Sequence, residues 1–556
     1  MTRKYSWLEA IPYLAVLISC APLIVAGFPQ GHDWTFELAR VAEYSHALAE
    51  GQLPPHWAPN LYGGYGSPVF LFYAPAFAAL ASGATDVFGS AAVGASAVVV
   101  LFSFVGVFAV RRLFDVTPGA DPRGGRIAAT VFALHPYLIG DKLIRNANAE
   151  FAALCLLPFA LLGLLRLGRQ PHRGAFVVAG ALAASILSHN LTALTCLALL
   201  LGGALWLYGW RGAARIHLAL ASGVALGLLI AAFFWLPALA LRDAIRIEEL
   251  TLGKFDFHNQ WKPFGEFFGY AHAFSSGALA PVTLLLAAWV AVRRFGEVFA
   301  GRRFLFGLLA AALIFIGLQF RVSTPIWESV PWLRLMQFPW RFMGPLALVT
   351  AVAAGVAATP LLARYSPRVR TGIEVAVFAL CVANAWPHLA DYEPLSALHS
   401  KTIEKATQPD KLRKGALNVS VLDEYLPRGA KPAVWRREAI AGGRSVLLTR
   451  PEAQFELLVE KGSRISLRID APTGTRLRLA RWHFPGWQAE LDGVPIPLEP
   501  NRTGGIDVRI PAPGGVFELA HRPPRSRRIG LALSGLGVSL WLVLYVAQRR
   551  RRSNAE

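Results

Sequence analysis

Gly31-His32-Asp33-Trp34 follows the first apolar run of the chain, with Glu37, Arg40 and His56 close behind. An acid and a histidine are out of place at the edge of an apolar segment, where a bilayer boundary favours neutral aromatics. The quartet therefore marks both a membrane end and a chemical site, with Asp33 at its centre.

The chain around it supports a bilayer setting. Its 556 residues are 54% hydrophobic and only 16% charged, with a mean hydropathy of +0.42. A soluble domain cannot hide that much apolar surface, so the chain reads as a polytopic α-helical membrane protein. The net charge of +20 lies mainly in short gaps between apolar runs. No basic surface interleaved with aromatics is present, which excludes nucleic acid as a partner. Cys20, Cys155, Cys196 and Cys381 all fall inside apolar runs, so no disulfide framework is expected. Met1-Thr2-Arg3-Lys4 opens an apolar stretch without a small-residue cleavage site near Ala26-Gly27, which reads as an uncleaved first helix.

At about 20 residues per crossing, twelve segments are candidate spans: 7–27, 88–110, 126–142, 150–168, 174–189, 191–209, 216–238, 279–293, 304–319, 342–363, 371–387 and 529–548. With the N-terminus cytoplasmic, the inner gaps collect Arg3, Lys4, Arg111, Arg112, Arg166, Arg169, Arg211, Arg293, Arg302, Arg303, Arg364 and the Arg549–Arg552 cluster. The first outer loop holds Asp33, Glu37, Glu43 and Glu50 against Arg40 alone, so the alternation obeys the positive-inside rule. Pro68, Pro75 and Gly83 make 68–87 a poor crossing, expected to be interfacial or re-entrant. The division expected is a transmembrane domain over 1–387, with outer loops 28–87, 241–278 and 320–341. An extracytoplasmic β-sandwich-like domain follows over 388–527, then a final helix and basic tail over 528–556. Phe255, Trp261, Phe264 and Phe267 suit loop 241–278 either to the headgroup layer or to a packed outer loop. Period-two alternation in 445–448, 455–459 and 465–469, with a turn at Asp492-Gly493, carries the β reading.

On the same outer side fall Asp141, Arg145, Asn148, Glu150, His189, Asn190, Gln337 and Arg341. Ionisable residues at membrane depth are costly, and their convergence points to a pocket at the outer leaflet. Each has a plainer alternative: Arg145 with Glu150 as an ion pair, His189 as an interface histidine, Arg341 as a snorkelling side chain. His32, Asp33, His56 and Glu150 are adequate metal-ligand types, but no HExxH or CxxC pattern accompanies them. There is no nucleotide-binding glycine loop, and Gly63-Gly64-Tyr65-Gly66 reads as a turn. An acid beside arginines at this depth suits a lipid-anchored sugar phosphate. Arginine pairs with the phosphate, and Asp33 takes a proton from an attacking hydroxyl.

At these residues the chain resembles the GT-C superfamily of polyprenyl-phosphate-sugar-dependent membrane glycosyltransferases, on Gly31-His32-Asp33 and Gly51-Gln52-Leu53-Pro54. More narrowly it is similar to the bacterial membrane proteins of the 6-pyruvoyl-tetrahydropterin synthase-related family. The matching stretches are Tyr62-Gly63-Gly64-Tyr65-Gly66-Ser67-Pro68, Arg145-Asn146-Ala147-Asn148-Ala149-Glu150, Phe233–Ala238 and Gln337-Phe338-Pro339-Trp340-Arg341. Glu424-Tyr425-Leu426-Pro427 and Phe484-Pro485-Gly486-Trp487 resemble the end of YfhO-like membrane proteins. The resemblance implies a GT-C-like bundle of about twelve helices in a bacterial inner membrane, with its site facing the periplasm. It implies transfer of a sugar from a polyprenyl-phosphate donor to an outer glycan, lipid or protein acceptor. Asp33 would be the base, with His32 or His56 assisting and Glu150 orienting; Arg145, Arg341, His189, Gln337 and Tyr65 would hold the lipid phosphate. A divalent ion (Mg or Mn) on Asp33 and His32 goes with this expectation, although the Asp-x-Asp pair found in parts of the superfamily is absent. The alternatives are a transporter or flippase for a lipid-linked glycan, or a non-enzymatic envelope-assembly subunit.

Overall fold

The computed structural model describes residues 6–553 apart from 212, 262, 269–274, 294–300, 396–404, 414–422, 432–445, 473 and 511–513. The chain enters through α1 (Ile11–Val25) and turns into α2 (Trp34–Ala49), then α3 (Ala76–Phe88) and α4 (Ala91–Phe114). Next come α5 (Pro122–Ala133), α6 (Pro136–Gly140), α7 (Asn148–Arg169), α8 (Pro171–Ser188), α9 (Asn190–Tyr208), α10 (Ala214–Ile230) and α11 (Ala232–Ala240). After the short α12 (Phe264–Phe268) follow α13 (Leu279–Arg293), α14 (Arg302–Gly317), α15 (Thr324–Ser329), α16 (Pro331–Arg334), α17 (Met343–Leu362) and α18 (Pro367–Ala390). The final helix spans Arg525–Ser553.

Among the described residues, seven helices are long and apolar enough to cross a bilayer, or up to ten if three bent pairs each count as one span. The chain is a multi-pass membrane protein. Ten of the twelve expected segments coincide with these. The other two, 174–189 and 279–293, are also helical, as α8 and α13. In α8 the polar first turn Pro171-His172-Arg173 dilutes the apolar run, and α13 has only 15 residues. Within 68–87, α3 has 13 residues, about 20 Å of helix against a hydrocarbon core of about 30 Å.

Two devices pack the bundle. Asp121 caps α5 by accepting the Arg123 and Gly124 N–H groups, each at 2.9 Å. Gly124 then meets Gly355 of α17 so closely that a Cβ on Gly124 would sit 2.5 Å from the Gly355 carbonyl oxygen. At the same end, Arg126 donates to both oxygens of Glu374 in α18, at 2.8 Å each, and to Glu9 at 2.7 Å. Arg111 of α4 also pairs with Glu9. All four cysteines are free and buried.

Beyond α18 lies a region of antiparallel strands: β1 (Val446–Leu448), β2 (Gln454–Lys461), β3 (Arg464–Asp470), β4 (Arg476–Trp482), β5 (Trp487–Leu491), β6 (Val494–Ile496), β7 (Glu499–Pro500), β8 (Gly505–Arg509) and β9 (Gly514–His521). They form two sheets, ordered β1-β4-β8-β7 and β2-β3-β9-β5-β6. Leu477, Leu479 and Ile506 of the first sheet join Leu467, Phe517 and Leu519 of the second in one apolar cluster. The β5–β6 hairpin turns at Asp492 and Gly493, both at positive φ (48° and 78°), as an Asp-Gly turn requires.

The loop between α2 and α3 holds this region against the bundle. Glu50 accepts the Gly462 N–H at 2.9 Å, Tyr65 stacks on Trp482 at 4.4 Å, and Arg481 donates to the Gly64 carbonyl at 2.6 Å. His56 and His521 stack at 5.1 Å among Trp57, Trp487 and Phe484, beside Arg527. Burial, with the Arg527 charge adding, holds the His56 imidazole down to about 3, and burial holds His521 well below its usual value.

Two measurements check these contacts. Arg126→Met strands a buried carboxylate and should cost about 3–5 kcal/mol in detergent thermal unfolding, most of it recovered by adding Glu374→Leu. Both histidines bind protons more readily when undocked, with an unperturbed value near 6.5. Docking of the β region should therefore be flat above about pH 6.5 and weaken as pH falls toward 3. His56→Phe should flatten that slope in a pH series of melting curves.

Candidate functional site

The site is assembled where a helix ends badly. Pro136 forces a 44° bend after α5, and α6 runs into a π-helical turn, Asp141–Arg145, that stops at Asn146 in the left-handed region (φ 57°). Carbonyls at a helix end lack intrahelical donors. Here the loop before α2 supplies them: the His32 N–H donates to Ile144 O and the Asp33 N–H to Arg145 O, both at 2.9 Å. Gly31 permits the approach, since a Cβ there would lie 2.1 Å from Asn146 Oδ1 and 2.3 Å from Ile144 O.

Asp33 is thereby fixed at the start of α2. It is half-buried, and among the described residues its carboxylate has no hydrogen bond or ion pair. It stands within electrostatic reach of Arg145, Asp141 and Glu37. His32 beside it is exposed.

On one flank, Glu150 at the start of α7 joins two arginines. Its Oε2 accepts from Arg145 Nη2 and Arg341 Nε, each at 3.3 Å, and its Oε1 accepts from the Tyr137 hydroxyl at 2.8 Å. Arg145 also donates to Asp141 and to the Tyr137 hydroxyl oxygen (3.2 Å), and lies 4.4 Å over the Trp340 ring. Arg341 lies 4.9 Å over Phe338, which stacks on Trp340 at 4.7 Å. Its Nη1 donates to Met336 O (2.9 Å) and Gln337 Oε1 (2.7 Å), while its Nη2 has no partner among the described residues. Gln337, at φ 63°, donates in turn to Leu250 O at 3.0 Å. His189 caps α9 through Thr192 within electrostatic reach of Glu150 and Arg341.

On the other flank, one turn beyond Asp33, buried Glu37 pairs with Arg40 and accepts the Tyr73 hydroxyl at 3.3 Å. The Arg40 guanidinium lies 3.8 Å over the Tyr73 ring. Burial pushes the Glu37 carboxyl above its usual range against the pull of Arg40. Tyr425 meets Tyr73 edge-on at 6.2 Å, within electrostatic reach of Arg40 and Arg341.

The structure thus brings Asp33, Arg145, Glu150, Arg341, Gln337 and His189 together. His56 and Tyr65 go elsewhere: both are buried in the aromatic contact with the β region, because loop 50–67 folds back beneath it. Tyr137, Tyr73 and Tyr425 are contributors that the sequence reading missed. The spacing Tyr137–Asp141–Arg145 repeats every four residues and was the available signal. Among the described residues no three His, Cys, Asp or Glu side chains gather as a group that could hold a metal ion.

What these features define is a buried cluster of carboxylates and guanidiniums beside the half-buried Asp33. No family model matches the chain and no curated protein does. Solved structures with a similar course of chain include the mycobacterial arabinofuranosyltransferase AftD (20% identity, TM-score 0.43, covering 74% of this chain and 27% of that one). ArnT from Cupriavidus metallidurans bound to undecaprenyl phosphate shares 15% identity at TM-score 0.41 over 74% and 78% of the chains. The Archaeoglobus fulgidus oligosaccharyltransferase shares 14% identity at TM-score 0.40 over 76% and 61%. These neighbours are glycosyltransferases of the GT-C type. The chain spans about a quarter of the length of AftD.

Gly31→Ala tests the docking. Hydrogen exchange should rise at 31–33 and 144–147 while α4 and α7 stay protected; unchanged exchange would contradict the close approach.

Proposed function

We propose that the chain is a membrane glycosyltransferase moving a sugar from a polyprenyl-phosphate carrier to an acceptor on the outer, periplasmic side of a bacterial inner membrane. What supports this reading is that Asp33, whose carboxylate has no bond among the described residues, and Arg341, whose Nη2 has none among them, both stand within electrostatic reach of Asp141.

Asp33 accepts the proton of an acceptor hydroxyl as its oxygen attacks the anomeric carbon. The bond from that carbon to the lipid phosphate breaks, and the phosphate leaves with the electron pair. Arg341 pairs with the phosphate and stabilises the charge that develops on it. Arg145 is committed to Asp141, Glu150 and Trp340, so it acts from behind, holding Glu150 and through it Arg341. His189 and Gln337 lie beside Arg341, and His32 flanks Asp33 at the open side. The donor brings its own activated leaving group, which suits a chain without a nucleotide-binding loop.

The full chain reconstituted with polyprenyl-phosphate sugars tests this. Asp33→Asn should lower transfer by about 10²–10⁴-fold while undecaprenyl phosphate still binds by native mass spectrometry. Arg341→Ala should weaken that binding by about tenfold or more. Wild-type transfer by Asp33→Asn overturns the mechanism; lipid crossing with no new glycosidic bond would make the chain a flippase.

A further inference from the structure

A second charged recess lies at the far ends of two helices that begin or end beside the pocket. α9 starts next to His189, and Trp206 comes sixteen residues after its first residue. α14 runs 16 residues from Arg302 toward the segment carrying Arg341. At 1.5 Å per residue each path covers about 24 Å, most of a hydrocarbon core. The recess therefore faces the opposite bilayer surface from Asp33.

It is a cavity of about 450 Å³ lined by Trp206, Arg302, Arg303, Phe306, Leu309 and Leu313. Its walls are bonded to each other: Arg303 Nη2 donates to Trp206 O at 2.5 Å, and the Trp206 indole N–H donates to Arg303 O at 2.9 Å. Gly307 lets the indole lie against α14, since a Cβ there would fall 2.7 Å from the Trp206 ring. The Arg302 guanidinium sits 6.0 Å from the Phe306 ring centre. Polarity changes along the recess. Arg302 and Arg303 line it from the first turn of α14, and Phe306, Leu309 and Leu313 follow at helical spacing, with Leu313 71% exposed.

That gradient selects its occupant. A soluble anion has no use for the apolar track, and a zwitterionic or neutral lipid has little use for two guanidiniums. A molecule with a net-negative phosphate and a hydrocarbon tail satisfies both ends. We propose that this recess binds one anionic glycerophospholipid, its phosphate on Arg302 and Arg303 and an acyl chain along Phe306, Leu309 and Leu313.

The test uses the full chain in phosphatidylcholine vesicles carrying acyl-brominated phosphatidylglycerol or acyl-brominated phosphatidylcholine at equal mole fraction. The Trp206 signal is the difference between wild type and Trp206→Phe. Quenching by the anionic lipid should saturate at a roughly tenfold lower mole fraction, and the preference should vanish in Arg302→Ala/Arg303→Ala. Equal quenching by both lipids, or a preference that survives the double substitution, overturns the assignment. Native mass spectrometry of the wild-type chain from an equimolar mixture needs no variant. Retained phosphatidylglycerol supports the site; retention of phosphatidylcholine alone or of no lipid, or displacement by undecaprenyl phosphate, overturns it.

Discussion

Two backbone hydrogen bonds set the geometry of the pocket. The amides of His32 and Asp33 close the open end of the π-turn at Ile144 and Arg145, and that closure sets Asp33 against the turn that carries Asp141 and Arg145. A helix that ends inside a membrane must have its last carbonyls satisfied by protein, because no water is there to do it. The chain meets this need with the loop that starts α2, so the helix end and the candidate base are positioned by one interaction. Gly31 and the left-handed Asn146 are the local conditions for it: one removes a side chain from the contact, the other turns the chain away before α7 begins.

Charge reinforces the same turn from its other side. Neighbouring residues of the π-turn project in different directions, Asp141 toward Arg145 and Lys142 into the bundle. Lys142 is buried, bonded to Ser19 at 2.8 Å, within 3.5 Å of Cys20 and Ser103, and 5.3 Å from the Phe151 ring. A buried ammonium is costly unless its donors are met, so the turn cannot slide along α7 without unsatisfying one flank or the other. On the pocket side, Glu150 has both oxygens engaged by Tyr137 and two arginines. Each arginine in turn rests on an aromatic ring from the Phe338-Pro339-Trp340 stretch. That stretch supplies ring faces in alternation, which explains the pattern Gln337-Phe338-Pro339-Trp340-Arg341 better than any single residue in it does.

Much of this was legible in the sequence, for identifiable reasons. Apolar runs carried the helices because the bilayer leaves few other solutions. Alternation carried the strands, and charges at membrane depth carried Arg145, Glu150 and Arg341. His56 was grouped with Asp33 because the two share a loop, which is closeness along the chain and not in space. Its later part gives the His56 and Tyr65 side chains to the contact with the β region. Tyr137 and Tyr425 were overlooked because aromatic residues are common in such a chain. Tyr137 matters only through the four-residue repeat that the bend at Pro136 preserves, and Tyr425 only through a contact across hundreds of residues.

That long-range contact gives the strand-rich region a mechanical role at the pocket. Gln337, which holds Arg341, is anchored to the Leu250 carbonyl. The loop around Leu250 is held by Arg428, which donates to Ile245 O at 3.3 Å and to Glu248 at 2.8 Å, and by the Ile245–Pro427 bridge. The segment from Tyr425 to Lys431 reaches the sheets through the Lys431 N–H to Thr503 O bond at 2.9 Å, and leaves Tyr425 against Tyr73. A displacement of the sheets is therefore felt at Arg341 through Gln337 and at Arg40 through Tyr73, on opposite flanks of Asp33. Such a brace keeps both flanks in register around a carboxylate that, among the described residues, has no bonds of its own to hold its surroundings in place.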